Sequence, residues 1–536
     1  MSANLNEAVE SGLIQALHGV LDEADVLTDA HSLTLYAQDV YTKTMPAGVV
    51  VRPRSVAQLS AAVKHATDAG MAVVPRGGGM SYTSGYVPRE AGSVIVDMQG
   101  MSAVREINTT DMYVTVECGC TWKTLHEALD GSGYRTPYWG TLSGIHATVG
   151  GGLSQNSIFW GSGKHGTASD SVVGMQVVLA DGSVVTTGTQ THTNATPFAR
   201  HFGPDLTGLF CGDTGALGFK AVATLRLIPE CEHRDGVSYD FADHASMIAA
   251  MSEISRQNLA DECFGFDPGL TAVRMQRESL MNDIKKFAGV LKSAGSIVGA
   301  IKQGAKVAAA GRGFMKDVTF SLHVMVEERT ENAMNVAINA IRAICADNAG
   351  TEIENSIPKI LRANPFTPLN NMVGPNGERW LPVHTVVPHS KALETVNDAY
   401  GVFEKHQAAI DEHGIGTGFL LATVSTNQFV IEPVFFTPDA LTEIHETYVE
   451  DHVLAKLPGF APNADAASVT ATLRSEIIDA FYDAGGVHMQ IGKSYPYRKS
   501  LRTDAWALVQ AIKNHLDPAC RVNPGSLGFE KDHGAN

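Results

Sequence analysis

The chain has 536 residues, is 44% hydrophobic and carries a formal net charge of −17. That length can bury two or three cores, and that charge speaks against a nucleic-acid backbone as partner. Seven scattered cysteines are too sparse and too odd in number for a disulfide framework, and Cys118-Gly119-Cys120 lacks the second pair that a zinc site needs, so no metal is expected.

The acidic first residues do not read as a signal peptide, and no apolar run reaches the ~18 residues of a membrane span, so a cytoplasmic protein is expected. Residues 1–45 read as a helix and a loop. Val49 to Arg52 is a short strand closed by Pro53. Ser55 is placed to cap a helix whose Val56, Leu59, Val63 and Ala66 recur at helical spacing until Gly70. A β-rich run, Met71 to Val74, then stops at Pro75 and opens into Arg76-Gly77-Gly78-Gly79-Met80-Ser81. Glycines let backbone approach an anion closely, successive N–H groups can form a concave anion site, and the Ser81 hydroxyl adds a donor. A diphosphate is the natural occupant. A plain β-turn uses the same letters, so the rest of the chain has to decide. The strand–helix–strand order puts this loop at the carboxyl end of a strand, where α/β folds collect ligands.

Ser93 to Met98 and Tyr113 to Glu117 read as strands and Trp122 to Leu129 as a helix. From Trp139 to Gly166 the chain is dense in Gly, Ser, Thr and Asn rather than Pro, a composition suited to wrapping a long polar ligand. A hairpin, Val172 to Leu179 and Ser183 to Thr187, turns at Asp181-Gly182, and a long strand from Phe219 to Ile228 ends at Pro229. Beyond Glu230 the composition changes. Helices are expected over 245–256, 331–346 and 391–411, and strands over 318–327, 381–387, 418–424 and 429–436. That alternation suggests an antiparallel sheet backed by helices, a separate α+β lobe. The Ala-, Gly- and Lys-rich stretch from Lys285 to Lys316 reads as a solvated helix with a flexible joint, with a lid or a membrane-surface helix as alternatives.

The motif order Arg-Gly-Gly-Gly-x-Ser, Thr-Val-Gly-Gly, His-Gly-x-x-x-Asp before a Val-Val-Leu-Ala-Asp-Gly hairpin, Gly-x-Leu-Gly, and finally Asn523-Pro524-Gly525 resembles the vanillyl-alcohol-oxidase/p-cresol-methylhydroxylase (PCMH-type) superfamily of FAD enzymes. The likeness runs from about residue 45 to 529. It implies an α+β fold with a two-lobed FAD-binding domain, residues 1–230 with 495–536 returning to it, and a cap domain, 231–494. It also implies that Arg76 to Ser81 hold the diphosphate. Ser143, Gly144, Thr148, Gly150, Gly151, Ser154 and Asn156 would line the ribityl and ring path, Gly161, Gly166 and Gly218 would shape the adenine and ring surroundings, and Asn523 would close over the flavin. His146 falls where a related branch has a second flavin tether, and a satisfied loop histidine is the other reading of it. Members with a tethered flavin often carry His where Met80 stands, and a cap-strand tether would align roughly with Gln428 or Phe429. The resemblance therefore implies FAD without a covalent link.

Tyr497-Arg498 matches a Tyr-Arg pair that holds substrate as a phenolate in the phenol-oxidising branch, with Tyr495 beside it. Ionising a phenol of pKa ~10 at neutral pH costs roughly 4 kcal/mol. Two hydrogen bonds of ~1.5–3 kcal/mol each to the charged oxygen can offset it. One feature points elsewhere: His165-Gly166-Thr167 resembles the 2-hydroxy-acid branch, whose His-rich metal motif is nevertheless absent here. Glu412-His413-Gly414 reads as a helix C-terminus. His384 or His389 could serve as a general base. The expected activity is hydride transfer from a C–H or C–OH carbon to flavin. A para-substituted phenol or aryl alcohol comes first, a D-2-hydroxy acid second and a non-catalytic flavin-binding protein third. The electron acceptor would be oxygen or another carrier, and a homodimer is compatible with the sequence.

Overall fold

The computed structural model describes residues 12–276 and 318–530, so the stretch from Lys285 to Lys316 lies outside the described residues. The chain divides into two compact units, one formed by Met1–Ile158, Thr167–Pro229 and His488–Asn536, the other by Phe159–Gly166 and Glu230–Val487. The C-terminal return thus begins at His488 rather than at 495, and the short stretch 159–166 folds with the second unit rather than with its chain neighbours.

In the first unit, β1 (Val26–Leu27), β2 (Val49–Val51), β3 (Val73–Arg76) and β4 (Val94–Asp97) form a sheet in the order β1-β2-β4-β3. The β2–β4 and β3–β4 pairs are parallel; β1, inside the region read as helix and loop, pairs antiparallel with β2. The connecting helix Val56–Asp68 is capped as its sequence dictates, the Ser55 hydroxyl accepting from the Gln58 N–H at 3.2 Å. Its apolar face, Leu59, Ala62, Val63 and Ala66, packs into one core with Val73, Val94, Phe219 and Val522. A second sheet, in the order β5-β6-β10-β8-β9, is antiparallel throughout: β5 (Val104–Asn108), β6 (Tyr113–Glu117), β8 (Val172–Val178), β9 (Val184–Thr186) and β10 (Phe219–Arg226). The strand expected to run to Ile228 stops at Arg226, and Ile228–Pro229 (β11) pairs separately with Tyr134–Arg135 (β7).

The C-terminal return adds to the first sheet. The Val73 N–H donates to the Arg521 carbonyl at 2.8 Å and the Asn523 N–H to the Val73 carbonyl at 2.8 Å. Lys513, buried on the helix Thr503–Leu516, donates to Asp517 (2.6 Å) and to the carbonyls of Ala216 (2.7 Å) and Val522 (2.9 Å). A buried ammonium satisfied this way fixes the last segment beside Val73, the first residue of β3.

The second unit is built on an antiparallel sheet backed by helices. Its order is β15 (Thr351–Ile353), β12 (His233–Phe241), β14 (Phe320–Glu328), β13 (Glu262–Phe266), β18 (Gly416–Val424), β19 (Gln428–Thr437) and β16 (Arg379–Pro382), with β17 (Thr385–Val387) also on β19. The single strand expected over 381–387 is broken at Val383-His384, and the helix expected over 391–411 is broken at His406 into Ala392–Lys405 and Gln407–Glu412. Helices His244–Arg256, Glu331–Asp347 and Ala464–Asp483 accompany the sheet. Gly414 takes φ +62° just past the helix that ends at Glu412.

Candidate cofactor and substrate site

β3 delivers Arg76 to a turn in which Gly79 adopts φ +75°. Among the described residues, no backbone N–H from Gly77 to Ser81 donates to a protein acceptor. Consecutive amides left over in a partly buried turn form an anion-binding concavity. The Arg76 side chain is 1% exposed and lies between the rings of Tyr36 (4.5 Å) and Tyr86 (5.5 Å). Its guanidinium therefore sits beneath the turn, where buried positive charge adds to the pull of the amides on an anion.

A second loop packs directly on this one. A Cβ on Gly77 would run into the Thr148 hydroxyl, and one on Gly78 would run into the His146 carbonyl, lying 2.5 Å from its carbon. Thr148 caps the short helix Val149–Ser154 by accepting from the Gly151 N–H at 3.1 Å. Gly150 sits on Cys118 so tightly that a Cβ would come within 2.7 Å of the cysteine Cβ. Gly77 and Gly78 are thus required by packing of the first loop on the second, and Gly150 by packing on Cys118, just past β6. Burial and Lys123 lower the pKa of the half-buried His146, which keeps its ring neutral.

Ser81 closes the turn within a polar cluster, its hydroxyl 3.1 Å from that of Thr83 and 3.3 Å from the Gln490 side-chain oxygen, while Gln490 reaches Tyr82 at 3.3 Å. Asn523, fully buried with φ +45°, donates to the carbonyls of Gly85 and Thr214, both at 2.8 Å, and accepts from Lys493 at 2.8 Å. Lys493 also donates to the Val87 carbonyl at 2.7 Å; burial draws its pKa down to about 7, against the pull of Asp39.

Beside this junction lies a cavity of about 520 Å³ lined by Arg89, Lys493, Tyr495, Tyr497, Arg498 and Lys499, with Pro496, Gly525 and Gly528. Tyr497 begins a short helix, Tyr497–Ser500, and burial raises its phenol pKa, so it stays a protonated donor at neutral pH. The Arg498 guanidinium lies over the Trp506 ring at 5.1 Å, and the His488 ring stacks on Tyr495 at 3.8 Å. Four basic side chains and no acidic one line this cavity, in a chain of net charge −17.

Two family models match the chain, the FAD binding domain over residues 47–188 and the FAD-linked oxidase C-terminal domain over 270–527. The chain belongs to the FAD-linked oxidoreductase superfamily. An uncharacterized FAD-linked oxidoreductase of Mycobacterium tuberculosis is 31% identical over 39% of this chain and 43% of its own length. A mitochondrial cytochrome-type D-lactate dehydrogenase of Saccharomyces cerevisiae is 28% identical over 41% of this chain and 37% of its own. The matched part is therefore less than half of each relative. In fold, the chain is similar to p-cresol methylhydroxylase with substrate bound, with a TM-score of 0.73 at 17% identity over 98% of this chain and 97% of that one.

The residues present fit the FAD of this superfamily: unpaired amides at Gly77 to Ser81 suit a diphosphate, and the glycine contacts at Gly77, Gly78 and Gly150 leave backbone, with no side chain, along the groove. Arg76 to Ser81, Ser143, Gly144, His146, Thr148, Gly150, Gly151, Ser154, Asn156, Gly218 and Asn523 all lie in the first unit. Gly161 and Gly166 lie in the second unit. The Gly218 position packs on Val177, and the Asn523 side chain is spent on protein partners, so both shape the unit from within. Of the four candidate catalytic residues, Tyr495, Tyr497 and Arg498 share the cavity, whereas His384 is buried in the second unit. His389 donates to or accepts from Ser255 at 3.4 Å there. Arg89, Lys493 and Lys499 escaped the sequence reading. Lys493 stands two residues before Tyr495, but its cavity role depends on Asn523 and on Val87, far away in the chain.

Proposed function

We propose that the protein is an FAD-dependent oxidoreductase that takes two electrons from a C–H or C–OH carbon of a small substrate, a para-substituted phenol or aryl alcohol in the first instance. The convergence of Tyr495, Tyr497 and Arg498 on one cavity carries this reading. FAD, when bound, supplies the acceptor for a hydride. Tyr497, kept protonated by burial, donates to the substrate oxygen, and Arg498 offers the charge that favours its ionised form. The phenolate then pushes electron density toward the carbon that loses hydride. Lys493, pinned by Asn523 and Val87, holds one wall of the cavity still. The cofactor is held without a covalent bond in this reading, because the Met80 thioether stands at the tether place of the first loop and Phe429 is a core residue of β19.

A D-2-hydroxy acid is the second reading. The basic surplus of Arg89, Lys493 and Lys499 suits a carboxylate, and the similar D-lactate dehydrogenase is named for such a substrate. Oxygen or another carrier would reoxidise the flavin in either case. Anaerobic mixing of the FAD-loaded protein with a panel tests both. Bleaching by 4-alkylphenols supports the first, bleaching by D-lactate alone replaces it with the second, and a flavin that no member bleaches overturns both.

A further inference from the structure

The stretch Phe159–Gly166 leaves the first unit, folds with the second and returns. Several bonds strap it down. The Trp160 indole donates to the Pro365 carbonyl at 3.2 Å, the Gly163 N–H to the Asp261 carbonyl at 2.8 Å, and the Ser425 N–H to the Ser162 carbonyl at 2.9 Å. Lys164 pairs with Asp261 at 3.0 Å and Glu328 at 2.8 Å. A buried fastening is at Gly161, in the left-handed conformation at φ +82°, whose N–H donates to Glu262 Oε1 at 2.7 Å.

Glu262 is 3% exposed on β13, and its other oxygen, Oε2, has no hydrogen-bond partner among the described residues. Charged neighbours come from every side: Asp261 precedes it, Glu327 and Glu328 lie on β14, Arg362 on the helix Ser356–Ala363 and Lys164 on the strap, with Glu230 acting on Arg362. Arg362 is already paired with Glu327 at 2.5 Å, and Lys164 with Asp261 and Glu328. Two cations thus face three carboxylates, and a fourth negative charge at Glu262, with one oxygen unbonded, would be uncompensated.

We infer that Glu262 is a proton-controlled latch for the 159–166 strap: the neutral carboxyl is tolerated beneath the strap, whereas the ionised one, although the better acceptor for the Gly161 N–H, is a buried uncompensated charge that opening of the strap relieves. Burial first, then Glu327 and Asp261, push the Glu262 carboxyl up to about 8, with Arg362 and the Gly161 N–H opposing. The folded value lies above the ordinary carboxylate value, so seating is strongest below the ordinary value and is lost as pH rises toward the folded one. Opening should therefore increase by up to about tenfold per pH unit between about pH 5 and 8 and level off above.

Hydrogen exchange of peptides covering 159–166 in the full chain, corrected for the intrinsic pH effect, reads this opening directly. Wild type should show the rise, whereas Glu262→Gln, which keeps an acceptor for Gly161 and cannot ionise, should stay within about threefold across that range. Equal slopes in the two proteins overturn the latch. Should Glu262→Gln not fold, carboxyl-labelled glutamate NMR of wild type decides: a glutamate titrating above pH 7 supports it, and all glutamates titrating below pH 6 overturn it.

Discussion

Gly78→Ala isolates the geometry on which cofactor binding rests. The added methyl would collide with the His146 carbonyl, 2.5 Å from its carbon and 3.2 Å from the Ala147 nitrogen. These obstacles are backbone in the second loop, so neither can rotate away. Overpacking of this kind costs typically 1–3 kcal/mol. The relief available is separation of the two loops, which spoils the alignment of the amides from Gly77 to Ser81. If that cost falls on the liganded form, the FAD Kd rises about 5- to 150-fold, at 1.4 kcal/mol per tenfold. Titration of apoprotein with FAD, followed by flavin fluorescence, measures it. Gly401→Ala is the matched control, since a Cβ there meets nothing within 4 Å inside the helix Ala392–Lys405. It should leave FAD affinity unchanged and raise stability by about 0.5–1 kcal/mol. A Gly78→Ala protein that binds FAD within twofold of wild type would refute the two-loop cradle.

Tyr497→Phe and Arg498→Ala should slow anaerobic flavin reduction at least tenfold while FAD affinity moves less than threefold, one lost hydrogen bond to a charged group being worth about 1.5–3 kcal/mol; equal losses in both would remove the pair from the substrate cavity. Asp517→Asn strands the buried Lys513 ammonium beside two carbonyls and should cost about 3–5 kcal/mol, read as a fall in Tm with release of the C-terminal return to protease. His445, buried with its Nε2 unpartnered among the described residues, is pushed down to about 3 by burial and Arg379. Its folded pKa lies below the ordinary value, so the protein loses stability as pH falls below about 6.5, and His445→Gln should flatten that part of the denaturant-midpoint profile relative to wild type.

What could be read from the chain follows the range of the interactions involved. The helix Val56–Asp68 and the strand Tyr113–Glu117 came through because period and cap are local, and Ser55 with Gln58 is a local pair. The glycine loop was legible because absent side chains are visible in a sequence, even though their reason, the His146 carbonyl, is not adjacent. The helix Ala464–Asp483 escaped because its buried face mixes Thr470 and Arg474 with Leu473, Ile477 and Phe481. β12 escaped because it opens with His233-Arg234-Asp235-Gly236, letters of a turn that the register with β14 overrides. The cavity was half legible. Tyr495, Tyr497 and Arg498 are near neighbours in the chain, but Arg89 reaches them only through the sheet that brings residue 73 to residue 522. The assignment of Gly161 and Gly166 to the cofactor's surroundings followed their place in a glycine-rich run, and only the fold shows that the run is divided between two units.

The two glycine-rich stretches of the chain recognise charge in different ways. The turn from Gly77 to Ser81 offers amides, which carry no titratable proton, over the Arg76 guanidinium, which stays charged at any pH the protein survives. Its attraction for a diphosphate therefore should not change between pH 5 and 9, beyond what the fold itself loses. The strap fastened by Glu262 depends on a proton across much of the same range. FAD affinity and strap exchange measured on one sample across pH should accordingly diverge, the first flat and the second rising. Parallel changes would mean that a single titrating group governs both, and the independence of the amide turn from protonation would have to be abandoned.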